Sequence, residues 1–377
     1  AAPSMVPTAA AAGALYVSAE NAQFDNLFGG PMVVEVIVKD PNRSMTNENA
    51  GEPTVMVDNQ QLRMAQGLDG NWYGYFADST NVADVANDGS QLEFGTADNP
   101  DLGTMGDTEI ATFDVTTYKS QTDTYTSGDA ADFAGVIDNA PILSNWNGTD
   151  ATSCTACGQI GLNSTNWPFL QTYDFTQEDF DVILEQAGTN EVVTLDHNNG
   201  DLDDYSSLTL DRSSATQGAE VMLFIVDQQL NIDPTDEDVV IFKVANDGVA
   251  STSSVSWTNG TINGDLVDGD NTSAYVAAGT GHGFSDNGKL LINNDTASSG
   301  TNTLEKIATA DDTVTATTSG FTYLVFFEDA DNTGTFSNVD DSDQANLQVT
   351  ADAKRGTTAT FDYNDSAQSF IVANDFG

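Results

Sequence analysis

The chain has 377 residues, 39% of them hydrophobic, with 10 Lys and Arg against 58 Asp and Glu and a formal charge of −48. That apolar share is enough for the cores of two domains and excludes a disordered polyanion. The charge excludes nucleic acid and anionic lipid as partners, since phosphate binding needs cationic side chains, and such a field repels itself unless cations gather on it.

The chain opens Ala1-Ala2-Pro3, the kind of start that cleavage after a small-residue signal site leaves, and 1–13 reads as a loosely held arm. No apolar run reaches the roughly 20 residues of a membrane span. A first strand is expected over 14–24, broken by Gly29-Gly30-Pro31. In 32–39, Val34, Val36 and Val38 face one way and Glu35, Ile37 and Lys39 the other. Segments 53–58 and 61–64 surround a hairpin turn at Asn59, and 71–76 is an aromatic strand. Turn residues then dominate about 77–176, read as an insertion with one strand over 110–118 and an irregular lobe over 145–169. Strands return at 180–185, 191–196 and 206–211, then at 219–227 and 239–244. A second polar insertion covers about 245–319, followed by strands at 321–327, 345–350, 358–363 and 369–373.

The two halves rhyme. In each, a valine-rich strand ends in Asp (33–40 and 220–227), and after the insertion a strand ends in Glu (180–185 and 321–328) before a Gly-Thr turn. Two copies of one module are expected, 14–212 and 213–377. Short strands without helical crossovers make the fold class all-β: tandem immunoglobulin-like antiparallel β-sandwiches with long loop insertions.

Cys154 and Cys157 form a C-x-x-C, which reads as a small structural disulfide stapling a loop. A zinc site needs two further ligands and a redox pair needs a βαβ context. The only histidines, His197 and His282, sit in loop-like contexts and read as surface residues without a nucleophile elbow. There is no phosphate loop or dinucleotide fingerprint, and no enzyme activity is expected.

The stretch Glu328–Asp340 carries the clearest chemistry. Counted from Asp329, oxygens fall at positions 1, 3, 5 and 9 (Asp329, Asp331, Thr333, Ser337), with Gly334 at 6, Thr335 at 7 and Asp340 at 12. That is the ligand spacing of a twelve-residue calcium loop, with Asp in place of Glu at the last position and strands in place of helices. A hairpin loop rich in Asp and Asn is the other reading. Further calcium candidates are Asp233, Asp236, Glu237 and Asp238, and Asp196, Asp201, Asp203 and Asp204. Sequons permissive for glycosylation stand at Asn42, Asn147, Asn163, Asn259, Asn271, Asn294 and Asn364.

Several strings together resemble surface-layer proteins of ammonia-oxidising archaea of the Nitrosopumilus type: VDQQLNIDPT at 226–235, EDADNTGTF at 328–336, LTLDR at 208–212 and WPFLQTY at 167–173. The resemblance implies a secreted, extracellular protein of β-sandwich domains that self-assembles into a calcium-dependent lattice around the cell. It implies that the acidic lattice draws cations, ammonium among them, towards the membrane. It also implies that Asp329, Asp331 and Asp340 are among the ion ligands, and that this chain is an N-terminal portion of a longer one. Two alternatives stand beside it: a secreted adhesin or pilus-like binding module, and an extracellular hydrolase or carbohydrate-binding protein with Trp146, Trp167 and Tyr173 lining a sugar cleft.

Overall fold

The computed structural model describes residues 13–30, 32–45, 51–67, 69–78, 81, 111–114, 169–175, 179–198, 200–235, 237–244, 253–258, 289–294, 303–309, 323–364 and 366–373. The described residues are mostly β-strand, and they divide into two compact units after Asn198. The expected boundary at 213 falls later, because residues 207–210 already pair within the second unit. No helix among the described residues is long and apolar enough to cross a membrane.

Among the described residues the first unit has eleven strands: β1 (Leu15–Val17), β2 (Leu27–Phe28), β3 (Val34–Val38), β4 (Val55–Val57), β5 (Gln60–Leu62), β6 (Ala65–Gln66), β7 (Trp72–Asp78), β8 (Ala111–Asp114), β9 (Phe169–Tyr173), β10 (Asp179–Leu184) and β11 (Glu191–His197). They form one sheet in the order β1-β3-β7-β9-β8, with β6 beside β7, and a second in the order β2-β11-β10-β4-β5. The alternation read from the sequence sets the faces. Val34, Val36 and Val38 are fully buried, as are Val55 and Val57 on the other sheet. The two inner faces meet in an aromatic cluster, where Phe28 packs edge-on against Phe76 (6.1 Å), Phe175 (5.4 Å) and Phe180 (5.7 Å). The β4–β5 turn is a two-residue one at Asp58 and Asn59, both at positive φ (44° and 65°), the geometry that matches strand twist.

Three expectations are corrected here. The segment 77–176 is not wholly an insertion: β8 and β9 belong to the first sheet. The sheets are also not purely antiparallel, because β9 runs parallel to β7 and β8, and β2 runs parallel to β11. Parallel neighbours need a long connection, and the residues between β7 and β9 supply one. The first strand is also shorter than expected, since Asn21 caps a 3-10 turn at Ala22–Phe24 through its side chain.

Among the described residues the second unit has twelve strands: β12 (Ser207–Leu210), β13 (Ser214–Ala215), β14 (Leu223–Val226), β15 (Val239–Val244), β16 (Ser253–Thr258), β17 (Lys289–Asn294), β18 (Leu304–Lys306), β19 (Tyr323–Glu328), β20 (Thr335–Ser337), β21 (Leu347–Val349), β22 (Thr358–Tyr363) and β23 (Ser366–Val372). Ten make one sheet, β12-β14-β20-β19-β15-β16-β17-β22-β23-β13, and β18 pairs with β21. This sheet rolls up. Phe242 of β15 meets Phe326 of β19 (5.2 Å) and, across the interior, Tyr363 of β22 (6.0 Å). Where the roll closes, the Leu208 N–H of β12, the first strand, donates to Ser366 Oγ of β23, the last strand but one (3.3 Å).

The polar run 245–319 supplies β16, β17 and β18, which its composition hid. The strand expected over 219–227 is split. Val221 N–H bonds to Leu347, while residues 224–226 pair with β20. The buried Asn338 side chain fills the break, accepting from Leu223 N–H (2.8 Å) and donating to Val221 C=O (3.1 Å). The rhyme between the halves does not mark equivalent positions. β3 and β10 lie in different sheets, whereas β14 and β19 flank β20 in one.

Candidate functional site

The stretch Glu328–Asp340 folds as a short hairpin loop and then a strand. Only 329–334 form the loop between β19 and β20. Phe336 is fully buried, and burying it draws Thr335–Ser337 into the sheet between β14 and β19. Thr335 and Ser337 therefore carry ladder pairing, not a loop. Asp340 belongs to the next turn, where its Oδ1 accepts from the N–H groups of Ser342 (3.0 Å) and Gln344 (2.9 Å). The continuous twelve-residue loop that the spacing predicts is not formed.

The organiser of the hairpin is Glu328. Its alternation with Leu324 and Phe326 turns it inward, and it is 3% exposed. Oε1 accepts from Thr333 N–H (2.7 Å), Thr333 Oγ1 (3.1 Å) and Gly334 N–H (2.7 Å), and Oε2 accepts from Asp238 N–H (3.0 Å). Backbone donors thus converge where a calcium loop would present oxygens; the nest is filled by the protein's own carboxylate. Burial pushes the Glu328 carboxyl up to about 7 against the pull of these donors.

The neighbouring segment 227–238 is built the same way. Asp238 Oδ2 accepts from Ile232 N–H (2.6 Å) and Asp233 N–H (3.0 Å), and Asp233 Oδ1 accepts from the N–H and hydroxyl of Thr235 (2.8 and 2.6 Å). Both acids are buried. The segment locks onto the hairpin through Gln228 Nε2 to Thr333 C=O (2.9 Å) and Asn231 Nδ2 to Asn332 Oδ1 (2.9 Å). Gly334 sits at φ 60° directly under Gln228, where a Cβ would overlap the side-chain amide. Asp227 and Tyr363, which the sequence reading passed over, join β14 to β22 through a 2.6 Å bond.

The exposed aspartates of the hairpin are Asp329 and Asp331; burial raises the Asp329 carboxyl above its ordinary range. Asp196 ends up on β11 in the first unit, while Asp201, Asp203 and Asp204 form a 3-10 turn of the second, with Asp203 accepting from Ser206 Oγ (3.5 Å). Asp236, Cys154, Cys157, His282, Trp146, Trp167, Asn147, Asn163, Asn259 and Asn271 lie outside the described residues. Among the described residues no three His, Cys, Asp or Glu side chains are grouped to hold a metal ion.

Of the remaining sequons, Asn42 is exposed in a turn with Asp40 (3.2 Å), Asn294 lies in the β17 ladder, and Asn364 donates to Ser206 Oγ (3.3 Å). His197 is no surface residue: it packs on the rings of Phe28 (5.0 Å) and Phe175 (5.6 Å), and burial lowers its pKa although Asp78 stands nearby. Tyr173 cannot line a sugar cleft, since it is buried in the first unit's core beside Phe76. No protein-family model matches the chain, and no curated protein matches it in sequence.

Proposed function

We propose that the chain is a structural cell-surface protein, extracellular and without enzymatic activity, that self-assembles into a two-dimensional surface-layer lattice. The reading takes the two all-β units as tandem modules of immunoglobulin-like type, and it takes calcium or other divalent cations as the ions that neutralise the lattice. One observation carries it: 58 acidic against 10 basic side chains on an all-β scaffold. The buried acids of the second unit are taken up by backbone donors. The charge left outside needs counter-cations before like-charged copies can pack side by side.

Asp329 and Asp331, exposed at the tip of the β19–β20 hairpin, are the ligands proposed to bridge loops or copies. The ion's remaining oxygens then come from water or a second copy, a weak site of the kind found on extracellular modules, at about 10⁻⁴–10⁻³ M. The same acidic surface draws small cations such as ammonium, and Asn42, exposed in its turn, is the glycan acceptor of this reading. Light scattering of the full chain with and without millimolar calcium tests it. Calcium-dependent growth of large particles is expected, whereas a chain that stays monomeric in calcium is a binding module and not a lattice protein.

A further inference from the structure

The rolled sheet of the second unit has a seam. Its first strand, β12, lies beside β23, the last strand but one, without a backbone ladder between them. Side chains hold the seam together. Asn364 Nδ2 donates to Ser206 Oγ (3.3 Å), Ser366 Oγ accepts from Leu208 N–H (3.3 Å), and Tyr363 Oη donates to Asp227 Oδ2 (2.6 Å). The last contact is the buried one. Asp227 continues the inward alternation of Leu223 and Ile225 and is 1% exposed, and Tyr363 is fully buried.

We infer that the Asp227–Tyr363 pair is a proton-operated closure of this seam: the carboxyl is held protonated in mildly acidic media, and losing the proton places an uncompensated charge inside the roll.

The surroundings support it from every side. The only other donor to Asp227 among the described residues is Gln229 N–H, at 2.9 Å on Oδ1. Asp203, on the 3-10 turn Asp201–Tyr205, faces it with a like charge. Across the Gly334 peptide stands Glu328: Asp227 N–H donates to Gly334 C=O, and Gly334 N–H donates to Glu328. The ion pairs among the described residues join Arg43 to Asp40, Arg63 to Glu52 and Arg212 to Asp211, and none reaches Asp227. Burial, opposed by the Tyr363 and Gln229 bonds, raises the carboxyl to about 7. An unfolded Asp titrates at about 3.9. The folded state therefore binds the proton more tightly; the closure is complete below that value, weakens as pH rises towards about 7, and changes no further above it.

Infrared spectroscopy of the full chain, read with thermal unfolding from about pH 5 to 8.5, tests the assignment. A protonated-carboxyl band persisting near pH 6 is expected, with a midpoint that drops by about 5 °C or more across the range. Glu328, also raised to about 7, contributes a band of its own, so the comparison is made in a Glu328→Gln background. Glu328→Gln leaves the Asp227 band in place, and adding Asp227→Asn, neutral at every pH, removes it and flattens the drop. Should Asp227→Asn fail to fold, Tyr363→Phe removes a donor that favours the ionised form, so the band should survive to higher pH. A Glu328→Gln protein without the band at pH 6, a Glu328→Gln, Asp227→Asn protein that keeps it, or a Tyr363→Phe change that makes it vanish at lower pH overturns the inference.

Discussion

Four donors converge on the Glu328 carboxylate, so Glu328→Ala orphans the N–H groups of Thr333, Gly334 and Asp238 and the Thr333 hydroxyl together. Leaving buried donors unmade costs about 1–3 kcal/mol each, and solvent entering the loop offsets part of the sum. A loss of at least about 3 kcal/mol is expected in urea unfolding, with little change for the exposed Asp331→Ala. Gly334→Ala meets two penalties, a left-handed φ and overlap with Gln228, and should cost more than about 2 kcal/mol. Gly218→Ala, at φ 75° with open space around it, should cost about 1 kcal/mol. Equal losses for the two glycines would remove the close approach from the account. The sequence did hold a signal for Glu328 and Asp227. Both end an alternating strand on its inward phase, after Leu324 and Phe326 and after Leu223 and Ile225. Counting oxygens along the chain obscured it, because an Asp that chelates and an Asp or Glu that caps backbone donors are the same letters.

Strands with clean alternation, such as β3, β10 and β22, are legible from residue type alone, and so is the Asp58-Asn59 turn. β9 is not legible. It lies in Trp167–Tyr173, where Pro168 and neighbouring turn residues mask a strand whose partners are distant in sequence. Its Gln171 does what no pattern announces: the side-chain amide pairs with the Arg63 backbone like a short piece of strand. It accepts from Arg63 N–H (2.7 Å) and donates to Arg63 C=O (2.8 Å), tying the sheet of β9 to the segment that follows β5. Removing both bonds in Gln171→Ala should cost about 2–4 kcal/mol in equilibrium unfolding. Gln171→Glu keeps the acceptor but turns the donor into a second acceptor facing Arg63 C=O, so it should not restore the loss. A Gln171→Ala chain as stable as wild type would show the sheets to be held by the aromatic cluster alone.

For the whole molecule, composition and periodicity suffice for an all-β chain of two units, since both depend on local alternation. They do not give the sheet in which each strand lies. β3 and β10 look like the counterparts of β14 and β19 along the chain, yet they take different sheet positions. Long connections leave strand order to tertiary packing. The charge of −48 belongs to the same scale: in the proposed reading it is the property that makes assembly conditional on cations. Electron microscopy of the full chain in calcium, before and after excess chelator, tests this most directly. The account predicts ordered two-dimensional sheets that disperse when the calcium is removed; sheets that survive the chelator, or that never form in calcium, would contradict it.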